Sequence, residues 1–243
     1  MAVPSLPPAL SGPVTALVTD LKNAFGQRLL AVVAYGPRLD QANAASGPPL
    51  NTLALVDVLG FADLASVVER AAAWDRAGLA MPLLLGREEF ERSLDAFPFE
   101  YGDILARHVL LHGADPFEHL RVAPGDLRRA CEAAAKGHLI HLREGFLEAR
   151  GRGVDLARLI VASAPPFATL LGHIARLRGQ DATGPGTLAG SVEGIPGLPA
   201  AVVRDVIALV GRPVLANDEA QRLFPGYLAA VEQLVAYVDG WSK

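Results

Sequence analysis

A chain of 243 residues has room for one large domain or two modest ones, each burying its own core. Apolar residues make up 51% of it and charged residues 20%, which excludes a disordered segment, and a net charge of −4 supplies no basic field for nucleic acid. The single cysteine, Cys131, excludes an internal disulfide and fits a reducing compartment, and the lack of any Gly-Lys-Ser/Thr run excludes a P-loop.

The first ten residues, Met1–Leu10, lack a basic stretch and are broken by prolines, so no secretory leader is expected and the cytoplasm is the expected location. Apolar runs such as Leu29–Tyr35 and Met81–Leu85 are strand-sized, so no membrane association is expected. A first helix is predicted over Pro13–Phe25, capped by Ser11, with Val14, Leu17, Val18 and Leu21 on one stripe. Leu29–Tyr35 reads as a buried strand, followed by a loop rich in Gly and Pro and a second strand over Thr52–Leu59. A helix over Asp63–Ala77, a strand over Met81–Leu85 and a short helix over Arg87–Leu94 come next. Phe99–Ala106 is read as a fourth strand, with a helical continuation over Arg107–Leu111. This alternation predicts an α+β layer, a mixed sheet with flanking helices over residues 1–120.

After Pro116 the strand signals stop. Pro124–Arg150 is helical by the spacing of Leu127, Cys131, Ala134, His138 and Leu142, and Leu156–Arg178 continues as helix with a break or kink at Pro165 and Pro166. A loop over Gln180–Pro199 precedes helices over Ala200–Val210 and Glu219–Val238, with Phe224 and Tyr227 in the core. Residues 121–243 are therefore expected to form an all-α bundle.

The order strand, Tyr35-Gly36-Pro37-Arg38, loop, and a second strand opening Asn51-Thr52-Leu53-Ala54 resembles the minimal, kanamycin-type nucleotidyltransferases. Asp95-Ala-Phe-Pro-Phe-Glu100-Tyr-Gly-Asp103-Ile, Leu111-His-Gly113-Ala-Asp115 and Phe224-Pro-Gly-Tyr227 add to the resemblance. In that family the first strand ends in Gly-Ser and the second begins Asp-x-Asp. Alternation along a strand puts the two Asp on one face, where they hold Mg²⁺ against the nucleotide phosphates. The Gly lets the backbone approach those phosphates.

Against that pattern Gly36 is kept, Pro37 replaces the Ser, and Asn51 and Leu53 stand at the two Asp positions. Asn51 is a weak neutral ligand and Leu53 is none. Asp57 shares the strand face of Leu53 but lies four residues on, about 13 Å away at roughly 3.3 Å per residue, too far for metals spaced about 4 Å apart. Asp40, in the loop, is a further carboxylate within reach. Glu100 and Asp103 either include the family's third carboxylate or form a solvated edge.

Elsewhere His108 and His112, spaced i, i+4, and His138 with His141 are candidate metal pairs or packed histidines, and Cys131 is a candidate nucleophile or a core thiol. Arg128, Arg129, Arg150 and Arg152 either line a phosphate-facing wall or form a solvated face. The resemblance implies a catalytically inactive nucleotidyltransferase-like protein that binds a small molecule, a nucleotide or a protein partner. It implies a homodimer, with no bound metal or cofactor. One alternative is an active enzyme using Mg²⁺ and a nucleoside triphosphate, with Asp40, Asp57, Glu100 and Asp103 as rearranged carboxylates. The other is a dimeric scaffold without a ligand.

Overall fold

The structure, a computed structural model, describes residues 6–39, 47–180, 185–191 and 193–241. Two compact units divide the chain, Met1–Ala123 and Pro124–Lys243.

The N-terminal unit is a mixed sheet in the order β3-β2-β1-β4, made by β1 (Leu29–Tyr35), β2 (Asn51–Val56), β3 (Leu83–Gly86) and β4 (His108–Gly113). Strand β1 runs antiparallel to both β2 and β4, while β2 and β3 are parallel. The continuous apolar runs of β1 and β2 reflect burial on both faces. Helix α1 (Ser11–Phe25) covers one face, where Leu17 and Leu21 meet Val32, Ala34, Ala54 and Val56. Ser11 is inside this helix rather than its cap; a short 3-10 turn, Pro8–Leu10, leads into it. The other face packs Ala31, Val33, Leu53 and Leu55 against Phe90, Tyr101, Ile104 and Phe117.

The region expected as one helix over Asp63–Ala77 is α2 (Phe61–Val67), a 3-10 turn and α3 (Ala71–Arg76). Strand β2 ends at Val56, two residues before Val58, which is 66% exposed rather than packed. Helix α4 (Arg87–Ser93) follows β3.

The largest departure is an exchange of two elements. Residues Pro98–Ala106 form helix α5, and the strand is the segment after it, His108–Gly113. Pro98 at the start of α5 has its φ preset for a helix, and the buried positions Pro98, Tyr101 and Ile104 recur every three residues instead of every two. Arg107, extended at φ −159°, turns the chain into β4. A bulge at Leu111 shifts the β1–β4 register, so that Val33 pairs with Leu110 and Val32 with His112.

The C-terminal unit is all helical among its described residues: α6 (Pro124–Ala149), α7 (Gly153–Leu177), α8 (Pro185–Ser191), α9 (Ala200–Ala208) and α10 (Asn217–Asp239). The short helix α8 falls inside the expected loop. Helices α6, α7 and α10 pack against one another, and α7 runs on through Pro165 and Pro166. Helix α7 is long and apolar enough to cross a membrane, with an 18-residue window of mean hydropathy 1.4, of which 44% is buried inside the protein. Its apolar residues Ile160, Phe167, Leu171 and Ile174 are fully buried in the bundle.

Candidate functional site

At one end of the sheet the pairing sets Asn51 of β2 beside Tyr35 of β1, and Tyr35 beside His108 of β4. Directly paired residues share a face, so these three side chains form a polar row on the α5 side. The chain leaves this row through Gly36, whose φ of +92° suits glycine and disfavours L side chains. A Cβ on Gly36 would sit 2.9 Å from the Asn51 amide nitrogen, so the Asn51 side chain occupies the space directly over this glycine. Pro37 opens a 3-10 turn, Pro37–Leu39, and Arg38 donates to the carbonyls of Gly47 (2.6 Å) and Pro48 (2.8 Å), tying the two ends of the following loop together. Asp40 lies outside the described residues.

One layer below the row the polarity ends. Leu53, two residues on from Asn51, is 0% exposed and belongs to the apolar cluster with Tyr101, Ile104 and Phe117. The candidate carboxylates are dispersed around this centre. Asp57 lies beyond the last residue of β2, at the end of the sheet away from Gly36. There it pairs with Arg87 at 3.2 Å, and its N–H donates to the Arg28 carbonyl. Glu100 and Asp103 occupy the exposed side of α5. Of the two, Glu100 reaches the row: burial first, and then the Glu100 charge, raise the Tyr35 phenol above its ordinary range.

A divalent cation does not fit the residues present at this end. Asn51 offers one neutral oxygen, Leu53 none, and Asp57 is committed to Arg87 at the opposite end. Among the described residues no group of three or more His, Cys, Asp or Glu is arranged to hold a metal.

The other candidates are separated or engaged. His108 has both ring nitrogens facing oxygen acceptors, the Ile104 carbonyl (2.8 Å) and Asp115 (3.1 Å), while its ring packs on Phe117. His112 lies beyond the bulge, where burial first and then the Lys22 charge from α1 lower its pKa. The two histidines thus serve opposite faces of the sheet. His138 is buried and its Nε2 pairs with the Tyr227 hydroxyl at 2.7 Å, whereas His141 is exposed. Burial pushes the Cys131 thiol up to about 12, against the opposing charge of Arg176, so no thiolate is present near neutrality. Arg128, Arg129 and Arg152 each pair with a carboxylate three or four residues away. Tyr35 and His108 were not legible as members of one row, because only the register brings them beside Asn51.

No protein-family model matches the chain, and no curated protein matches its sequence. Among solved structures it is similar to a spectinomycin adenyltransferase, AAD(9) from Enterococcus faecialis, solved with ATP and spectinomycin. The TM-score is 0.56 over 92% of this chain and 98% of that chain, at 9% sequence identity. The fold is nucleotidyltransferase-like. An identity this low carries the fold alone, so the chemistry of the nucleotidyltransferase-like fold here rests on its own residues. At the Gly36 end those residues, Tyr35, Asn51 and His108, are hydrogen-bonding groups over an apolar floor.

Proposed function

We propose that this protein is a nucleotidyltransferase-fold protein that binds a small molecule, nucleotide or protein partner at the Gly36 end of its sheet and does not transfer a nucleotidyl group. The observation that carries this reading is Leu53. By resemblance to the kanamycin-type enzymes it stands where the second metal-binding Asp belongs, and it is fully buried among apolar side chains. A carboxylate there would have neither solvent nor a cation. With Pro37 in place of the phosphate-binding Ser and Asn51 in place of the first Asp, the α-phosphate has no clamp. Loss of even one well-placed electrostatic stabiliser raises a barrier by about 2.7–4 kcal/mol, roughly 10² to 10³ in rate. Loss of all three leaves turnover near background.

The structural neighbour was solved with ATP and spectinomycin, so these are the first ligands to test. Calorimetry with ATP, GTP and spectinomycin, with and without Mg²⁺, is paired with transfer assays using α-labelled nucleotide. The expected result is no labelled product, and nucleotide binding that is weak and nearly independent of Mg²⁺. Labelled product abolished by Asp57→Ala or Glu100→Ala, or strongly Mg²⁺-dependent binding, would mean that the carboxylates rebuild a site and that the protein is an active enzyme.

A further inference from the structure

Two members of the polar row at the Gly36 end have hydrogen-bonding capacity that the protein itself leaves unused. His108 is not one of them, because the Ile104 carbonyl and Asp115 already face its two ring nitrogens. The Tyr35 hydroxyl and the Asn51 carboxamide, by contrast, make no hydrogen bond among the described residues. Both side chains are half-buried and still reach solvent. Burial first, and then the charges of Glu100 and Tyr101, raise the Tyr35 phenol, so near neutrality it keeps its proton and can donate. Asn51 offers a donor and an acceptor side by side in one plane. The two residues are directly paired across β1 and β2, so their Cβ atoms stand about 5 Å apart.

Four observations turn this pair away from phosphate. A phosphate approaches a glycine over its bare Cα, and over Gly36 that space is filled: a Cβ there would meet the Asn51 amide nitrogen at 2.9 Å. The carboxylate charge felt at Tyr35, that of Glu100, repels an anion. Arg38, the nearest arginine along the chain, donates instead to the Gly47 and Pro48 carbonyls at 2.6 and 2.8 Å. Beneath the row, Leu53, Tyr101 and Ile104 form a sealed apolar layer that compensates no charge. What fits is a neutral planar ligand with apolar faces and one polar edge. That edge must carry an acceptor next to a donor, the complement of a carboxamide, and side-chain amides pair in this bidentate way with nucleobases.

We propose that Asn51 and Tyr35 recognise the hydrogen-bonding edge of a nucleobase, so that this end of the sheet takes a nucleoside by its base and not by its phosphates. Asn51 pairs with the edge through both the oxygen and the nitrogen of its amide, and the Tyr35 hydroxyl donates to a further acceptor of the same ligand. This assignment rests on the binding role proposed above for the Gly36 end and narrows the ligand to one class.

Calorimetry on the full-length protein provides the test, with adenosine, guanosine, cytidine and uridine, their triphosphates with and without Mg²⁺, and inorganic tripolyphosphate. At least one nucleoside is expected to bind, with its triphosphate no more than about threefold tighter and tripolyphosphate not binding. Asn51→Leu and Asn51→Asp are each expected to weaken nucleoside binding about tenfold or more, since the first removes the amide edge and the second its donor. Tyr35→Phe should weaken it about threefold or more. Unchanged circular dichroism spectra separate loss of the edge from loss of the fold. A metal–phosphate site would answer Asn51→Asp in the opposite direction, with tighter Mg²⁺–nucleotide binding. That result overturns the proposal, as does tripolyphosphate displacing the nucleoside, or a wild type that binds no nucleoside. If the wild type then binds spectinomycin or a protein and transfers no label, the base assignment alone falls; the binding role itself fails on transferred label.

Discussion

Two neighbours on β2 illustrate how one residue's surroundings set what it can do. Leu53 is sealed against Tyr101 and Ile104, whereas Asn51 is only half-buried at the strand's mouth. Placing acids at these positions therefore has unequal costs. Leu53→Asp is expected to destabilise the fold by about 3 kcal/mol or more, as a carboxyl is forced into an apolar cluster, while Asn51→Asp costs less than about 1 kcal/mol. Urea denaturation of the two variants measures the contrast. Between them, Thr52 is 1% exposed and its hydroxyl has no hydrogen-bond partner among the described residues. Thr52→Val keeps the shape and removes the unsatisfied oxygen, so the melt should show a gain of about 1 kcal/mol. In the bundle, burial and to a lesser degree His141 lower the pKa of His138 to about 4. The folded value lies below the unfolded value near 6.5, so between these pH values the unfolded chain binds the extra proton. The contribution of neutral His138 is thus fully present above about pH 6.5 and is lost progressively as pH falls to about 4, amounting to on the order of 2–3 kcal/mol. Denaturation midpoints measured from pH 7 to pH 4 should fall accordingly, and His138→Gln should flatten that slope.

Among the elements, β4 and its glycine show a strand built around a constraint. Gly113 has a φ of +80°, and a Cβ there would overlap the carbonyl oxygen of Leu30 on the neighbouring strand. Gly113→Ala is expected to cost about 3 kcal/mol, from left-handed strain together with displacement of β1, and a thermal melt of the variant reads it directly. That glycine was visible in the sequence as part of Leu111-His-Gly113-Ala-Asp115, but its partner strand was not. The exchange of α5 and β4 has a similar origin. Phe99–Ala106 and His108–Gly113 are both short and apolar, and short apolar runs do not distinguish strand from helix by hydrophobicity alone. Pro98 and the spacing of Tyr101 and Ile104 carried the helical signal. Strand β1 was readable to the residue, because its seven-residue apolar run has strand length, carries the β-branched pair Val32-Val33 and stops at Gly36.

For the whole molecule, the division into Met1–Ala123 and Pro124–Lys243 implies that each unit carries its own core. In the second unit Tyr227 of α10 meets His138 of α6 at 2.7 Å and the Ser163 hydroxyl of α7 at 3.1 Å, so one buried polar cluster links three helices. Residues 124–243 expressed alone are expected to show helical circular dichroism and a cooperative melt. Tyr227→Phe in that fragment should lower its stability by about 1–2 kcal/mol, since it leaves the buried His138 Nε2 without its hydrogen-bond partner. The sequence by itself determined the α+β layer, the helical second half and the resemblance carried by Tyr35-Gly36 and the strands on either side of the following loop, with Asn51 and Leu53 as departures from it, because periodicity and local chemistry are properties of neighbouring residues. Only the tertiary structure decided that Tyr35 and His108 stand beside Asn51 and that Asp57 lies at the far end of the sheet. Those facts depend on strand register and on which faces meet, and both are set by contacts between residues far apart in the chain.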